Sequence, residues 1–234
     1  MITSRIKKIL QERKICTYRD LLVIAAGENK EPLVDVRYYD PNIIARYEKN
    51  DMFPYTGEQI FVRDTVAWKL ARANKALARY GKFRFKVVYG YRHPDVQKKY
   101  FEQRRTELCA LYPSLTDEEL DSLTHNFIAV PSVAGHPTGG AVDITIVDAA
   151  GDDLDMGTRI ADFKDPEKIK MFAKGLSKKQ MKNRLLLHDI LVDEGFAPFY
   201  GEWWHFSYGD REWACFYDKT KSLYSPIKFK VRQK

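Results

Sequence analysis

The chain is sparing with the residues that cross-link or anchor other proteins. Its three cysteines, Cys16, Cys109 and Cys215, are odd in number and widely spaced, and no C-x-x-C pair occurs. That pattern argues against a disulfide framework and a cysteine zinc site, and leaves reduced thiols in a reducing compartment as the expectation. Long apolar runs are also missing. LLVIAA at 21–26 is only six residues long and follows directly on Asp20, too short for the apolar segment of a secretory leader. Nothing approaches the roughly 18 consecutive apolar residues of a membrane span. The expectation is a cytoplasmic protein without a membrane partner. There is no internal repeat and no low-complexity linker, and the HExxH signature of helix-borne zinc proteases is absent.

What is present suits a folded domain. Of 234 residues, 44% are hydrophobic and 13% aromatic, enough for a real core. The length fits one domain with elaborations. The net charge is +7, but basic residues are interleaved with acids. The densest basic stretches are Arg5–Lys8 and Lys164–Lys182, and the second contains Asp165 and Glu167. A solvated surface explains this balance, and no nucleic-acid partner is expected.

Periodicity outlines the elements. VDVRYYD (34–40) reads as a strand or an extended arm. Residues 58–80 read as an amphipathic helix, with Val62, Val66, Leu70, Ala73 and Leu77 at three- and four-residue steps and Gly81 at its end. FRFKVVYGY (83–91) alternates as a strand, so Arg92 falls at its exit. Pro94 suits the start of a helix reaching about Leu111. Thr116 with Glu119, and Ser177 with Gln180, are capping-box pairs for helices at 117–125 and 178–194. AVDITIV (141–147) reads as a strand with Val142, Ile144 and Ile146 on one face and Asp143 and Thr145 on the other. Residues 196–208 read as a loop and then an aromatic strand. The fold class is α+β, a central antiparallel or mixed sheet flanked by helices. Residues 1–33 are expected to pack on the domain as an extension, 34–220 to form it, and 221–234 to be a basic tail.

Two of the five histidines keep suggestive company. His136 lies in GHPTGGAVD, seven residues before Asp143, and His205 closes GEWWH, three residues after Glu202. Imidazole and carboxylate are both good zinc ligands. Gly139 and Gly140 allow the loop to fold back so that a loop histidine and a strand aspartate can converge. Asp143 interrupts an apolar strand, where a carboxylate costs several kcal/mol unless paired or coordinated. On spacing alone, a His and an Asp seven apart mean little, and a turn histidine with an aspartate capping a nearby backbone amide is the favoured reading. GEWWH alone also fits plain core aromatics with polar tips. On an ideal strand, residues three apart face opposite ways, so Glu202 can share a site with His205 only from a bend before the strand. Together the clusters offer three ligands of mixed N and O type and a spare carboxylate, which leaves a fourth position open for water.

The order H-x-x-G-x-A-x-D followed by E-x-W-H resembles the D-alanyl-D-alanine dipeptidases of the vancomycin-resistance (VanX) type, zinc D,D-peptidases that share a fold with the hedgehog signalling domain. YGYRHP (89–94), DMGTRIADF (155–163) and NRLLLHDILVDEGF (183–196) resemble further family elements in the same order, so the likeness spans roughly 34–210. The resemblance implies one zinc per chain held by His136, Asp143 and His205, with Glu202 as general base and then general acid. It implies that Arg92 stabilises the oxyanion, and that Asp162 meets the ammonium of a small dipeptide substrate. The family's usual Ser two residues before the first zinc histidine is here Ala134, which puts substrate preference in question. His93, next to Arg92, could line the site, whereas His125 and His188 read as structural or surface residues. Two rival readings remain: a D,D-carboxypeptidase or L,D-peptidase acting on longer wall peptides, and a non-catalytic module binding wall fragments. Residues between 94 and 130 could close the cleft against longer chains.

Overall fold

The computed structural model describes residues 15–231. Residues 1–14, most of the first half of the expected extension including Arg5–Lys8, lie outside the described residues, as do 232–234. In chain order the first elements are α1 (Tyr18–Leu22), β1 (Leu33–Asp35), β2 (Ile44–Ala45), α2 (Phe53–Thr56) and β3 (Phe61–Arg63). Next come α3 (Asp64–Leu77), β4 (Arg84–Tyr89), α4 (Pro94–Leu111) and α5 (Asp117–His125). A single 3-10 turn, His136–Thr138, precedes β5 (Ala141–Val147). The last are α6 (Lys178–Asp193), β6 (Ala197–Pro198), β7 (His205–Ser207) and α7 (Arg211–Phe216).

The capping boxes form as their residues predict. Thr116 and Glu119 open α5, and Ser177 and Gln180 open α6, each hydroxyl accepting from the N3 amide. The expected helix over 58–80 begins later. Residues Phe61–Arg63 pair antiparallel with β1, and the helix starts at Asp64. Strand pairing prevails there because Arg63 is drawn into a buried network. Its amide donates to the Gly139 carbonyl, and its guanidinium donates to the Thr138 and Glu31 carbonyls and to the Glu28 carboxylate.

Five strands form a mixed sheet in the order β2–β4–β5–β7–β6, with β2 and β4 parallel and the other pairs antiparallel. A separate two-stranded sheet joins β1 and β3. Strand β5 is central and every residue in it is buried. Val142, Ile144 and Ile146 share one apolar cluster with Val66 and Leu70 of α3 and Leu187 and Leu191 of α6. Each such side chain contributes about 1.5–3 kcal/mol by leaving water. The opposite face of β5 carries Asp143 and Thr145, so one side of the sheet is filled by helices and the other is left for polar side chains.

The cysteine expectation is overturned for two of the three thiols. Cys16 and Cys215 are disulfide-bonded across 199 residues of sequence, while Cys109 is free and exposed. No local spacing signals this pair, because the fold alone brings the segment before α1 against α7. At the other end of the chain, residues 221–231 are stitched onto the domain. The Ile227 amide donates to the Pro137 carbonyl, the Val231 amide to the Tyr55 carbonyl, and Tyr224 is buried. Among the described residues no helix is long and apolar enough to cross a membrane.

Candidate active site

The register of the sheet sets the first contact. Asp143 on β5 lies directly opposite His205 on β7, and on its other side opposite Tyr89 of β4. His136 reaches the same place from the 3-10 turn before β5. Gly139 closes that turn at φ 75°, a left-handed conformation, and a Cβ there would come within 2.4 Å of the Leu33 side chain, so glycine is required. His136 Nε2 lies 3.4 Å from Asp143 Oδ1, and His205 Nδ1 lies 3.0 Å from the same oxygen. One ligand atom from each of the three residues falls within 4.8 Å of the others, and all three side chains are buried.

The two rings present opposite nitrogens. His136 Nδ1 donates to the Gly90 carbonyl at 2.8 Å, leaving Nε2 toward Asp143. His205 has its Nε2 3.2 Å from Glu212 Oε2, leaving Nδ1 toward Asp143. Burial pushes the Asp143 carboxyl up, but the charges and hydrogen bonds of His136 and His205 outweigh it and hold it well below the usual carboxylate range. Burial lowers His136. Burial also opposes the charge on His205, yet Glu212 and Asp143 together raise it well above an ordinary imidazole. Two imidazole nitrogens and one carboxylate oxygen, converging with their protons held on the far side, are a donor set that fits a zinc ion with a remaining open position.

Glu202 resolves the facing problem from a bend. It precedes β7 in the turn after β6, where its amide donates to the Phe199 carbonyl and its own carbonyl accepts from His205 N. Its carboxyl lines the same cavity. Burial, reinforced by Asp143 and Glu212, pushes it up to about 8 against the pull of His205 and Arg92.

Arg92 leaves β4 with its amide donating to the His136 carbonyl at 3.1 Å. Its Nη1 donates to Gln97 Oε1 at 2.9 Å, and its guanidinium lies 4.3 Å over the Tyr89 ring. Tyr89 and Tyr100 both donate to Asp51 Oδ2. Burial opposes the guanidinium's charge, and Tyr89, Asp143 and Asp51 outweigh it. Arg92 also lines the cavity.

Asp162 is the candidate that the fold does not bring in. Its neighbours Ala161 and Phe163 line the cavity, but Asp162 itself faces two adjoining surface grooves that also contain Arg159. His93 also points elsewhere, capping α4 through Asp95 N and stacking on Tyr55. Glu212, which the sequence reading passed over, lines the cavity, and so does His125, which it took for a structural or surface residue. His125 ends α5, and Asn126–Ala129 after it form one wall of the cavity, with Ala134 also at the lining.

A family model described as D-ala-D-ala dipeptidase (Peptidase_M15) matches residues 34–225. The chain belongs to the D-ala-D-ala dipeptidase family. A D-alanyl-D-alanine dipeptidase of Synechocystis sp. is 30% identical, over 49% of this chain and 53% of that protein. The dipeptidase of Enterococcus faecalis is 31% identical, over 45% of this chain and 50% of that protein. The chain thus spans about half the length of these curated relatives of the dipeptidase family. Among solved structures, a zinc complex of a variant of the D,D-pentapeptidase VanY has a TM-score of 0.41 at 18% identity, covering 87% of this chain and 96% of that one. The LD-carboxypeptidase LdcB has a TM-score of 0.45 at 18% identity, covering 82% and 77%.

Proposed function

We propose that this chain hydrolyses D-alanyl-D-alanine or a closely related D,D-dipeptide, with one zinc ion held by His136, Asp143 and His205. The observation that carries the reading is the convergence of two imidazoles and a carboxylate beside the uncommitted carboxyl of Glu202. Zinc at such a site supplies a Lewis acid and lowers the pKa of water from about 15.7 toward 7.

The chain's own groups do the rest. The Glu202 carboxylate takes the proton of the attacking water and delivers it to the departing amide nitrogen. The Arg92 guanidinium faces the cavity and opposes charge building on the carbonyl oxygen. It is preset by Gln97 and Tyr89, so little reorganisation is needed as that charge appears. Asp162 lines adjoining grooves rather than this cavity, so we propose that other groups meet the substrate's ammonium. Asn126–Ala129, just after α5, line the cavity and are the residues proposed to limit substrate length.

The test is a panel of D,D-, L,D- and L,L-dipeptides together with a D-Ala-D-Ala-terminated pentapeptide, assayed on zinc-loaded protein. D-Ala-D-Ala should be cleaved well ahead of the rest. Glu202→Ala should keep its zinc while kcat falls by about 10²–10⁴-fold. Preferential trimming of the pentapeptide would replace the dipeptidase reading with a carboxypeptidase one. Undiminished function in Glu202→Ala would leave a binding module.

A further inference from the structure

Resting on the zinc reading above, we infer that Glu212 is a positioning residue that fixes the tautomer and orientation of His205. An imidazole can give one nitrogen to a metal only while the other carries the proton, and whatever accepts that proton's hydrogen bond decides which nitrogen is which. Glu212 Oε2 sits 3.2 Å from His205 Nε2, on the side of the ring away from Asp143. It therefore holds the proton at Nε2 and frees Nδ1. For His136 the Gly90 carbonyl does the converse, holding the proton at Nδ1. The two rings need opposite tautomers, and each has its own acceptor.

The location of Glu212 argues for this role. Its side chain is only 16% exposed. A carboxylate so far out of water is costly unless paired. Among the described residues its ion-pair partner is His205, and Ser207 Oγ donates to the same oxygen at 3.3 Å. The position is also built rigidly. Asp210 caps α7 by accepting from Trp213 N at 2.9 Å, Trp213 Nε1 donates to the Gly195 carbonyl, and Cys215 ties the helix to Cys16. An anionic acceptor also makes the ring a better donor to a cation than a neutral carbonyl would.

The experiment measures zinc dissociation constants by chelator competition for the parent, Glu212→Ala and Glu212→Gln, alongside metal-free melting curves. ¹⁵N imidazole NMR of the zinc-loaded parent reads the tautomer directly. Glu212→Ala should bind zinc about 10–100-fold more weakly. Glu212→Gln, whose amide oxygen still accepts from Nε2–H, should recover most of that loss. His205 in the parent should be protonated at Nε2. The inference is overturned if Glu212→Ala binds zinc within about threefold of the parent, well short of the loss that a supporting partner gives, or if Gln does no better than Ala. It is equally overturned if His205 carries its proton on Nδ1, a result that needs no variant to fold. A parent that binds no zinc would instead remove the metal reading beneath it, so the two failures are distinct.

Discussion

The Gly90 carbonyl lies 2.8 Å from Nδ1 of His136, so the end of strand β4 decides how a candidate ligand on a different segment is turned. Gly90 itself is tightly enclosed. A Cβ there would stand 2.5 Å from the Phe61 carbonyl oxygen and 2.9 Å from an Ile60 methyl. Gly90→Ala must push β4 away from β3 and take the His136 acceptor with it. The expected cost is about 1–3 kcal/mol of stability, read by urea unfolding, with weaker zinc binding in the same variant. Unchanged zinc affinity would show that His136 does not need this carbonyl.

Asp143 is the oxygen shared by both rings. Asp143→Asn keeps the shape and removes the charge that His136 and His205 hold in place. Protein purified with zinc and then desalted should retain one ion per chain, and Asp143→Asn should retain little. Elemental analysis decides the matter. Full retention by the variant would place the ion elsewhere.

Arg92→Lys probes geometry rather than charge. A lysine cannot reproduce a planar guanidinium that donates to Gln97 while lying over Tyr89. The proposed oxyanion role predicts a loss of roughly 10²–10³ in kcat, about 2.7–4 kcal/mol, with a much smaller change in KM. A loss confined to KM would make Arg92 a substrate-binding group instead.

Acid should loosen the domain through Glu28. Burial raises its carboxyl, but hydrogen bonds from Arg63, Lys30 N and Ser225 N, with the Arg63 charge, outweigh that and hold it below an ordinary glutamate. A folded-state pKa below the unfolded one adds stability above about pH 4.3, the value of a free glutamate, and that stability fades as pH falls through the folded value. Denaturant midpoints should drop over that window in the parent and respond less in Glu28→Gln. Arg63→Ala, which strips a nearly fully buried cation from its acceptors, should cost about 3–5 kcal/mol at neutral pH.

The disulfide makes a separate prediction. Thiol titration of the denatured, unreduced chain should find one group, Cys109, and three after reduction. Cys16→Ser should lower stability by about 2–4 kcal/mol. Three thiols without reductant would restore the reduced state read from cysteine spacing.

Much of this architecture was legible in advance because its signals are local. Proline at N1, the capping pairs Thr116–Glu119 and Ser177–Gln180, and the two-residue alternation around Asp143 each act within a few residues. The meeting of His136, Asp143 and His205 was legible because GHPTGGAVD and GEWWH resemble a known order; spacing alone favoured a capping aspartate and core tryptophans. What escaped depends on distant partners. Arg63 becomes a strand residue because Glu28, Glu31 and Thr138 wait for its guanidinium. Cys16 and Cys215 have no sequence relation at all. Glu212 lies seven residues beyond His205 on a short helix, and only the fold turns it back onto the ring. Asp162 misled because the resemblance carried a role onto it, whereas its neighbours Ala161 and Phe163 are the residues of this segment that line the cavity.

The Cys16–Cys215 bond has a topological consequence. It closes nearly the whole described polypeptide into a ring, with a sequence separation of 199 residues between the joined ends. A single peptide cut in an exposed turn such as 149–152 would therefore release no fragment. The nicked molecule would migrate as one species until a reductant opened the ring, and the strands and helices on either side of the nick would stay tethered and able to re-dock.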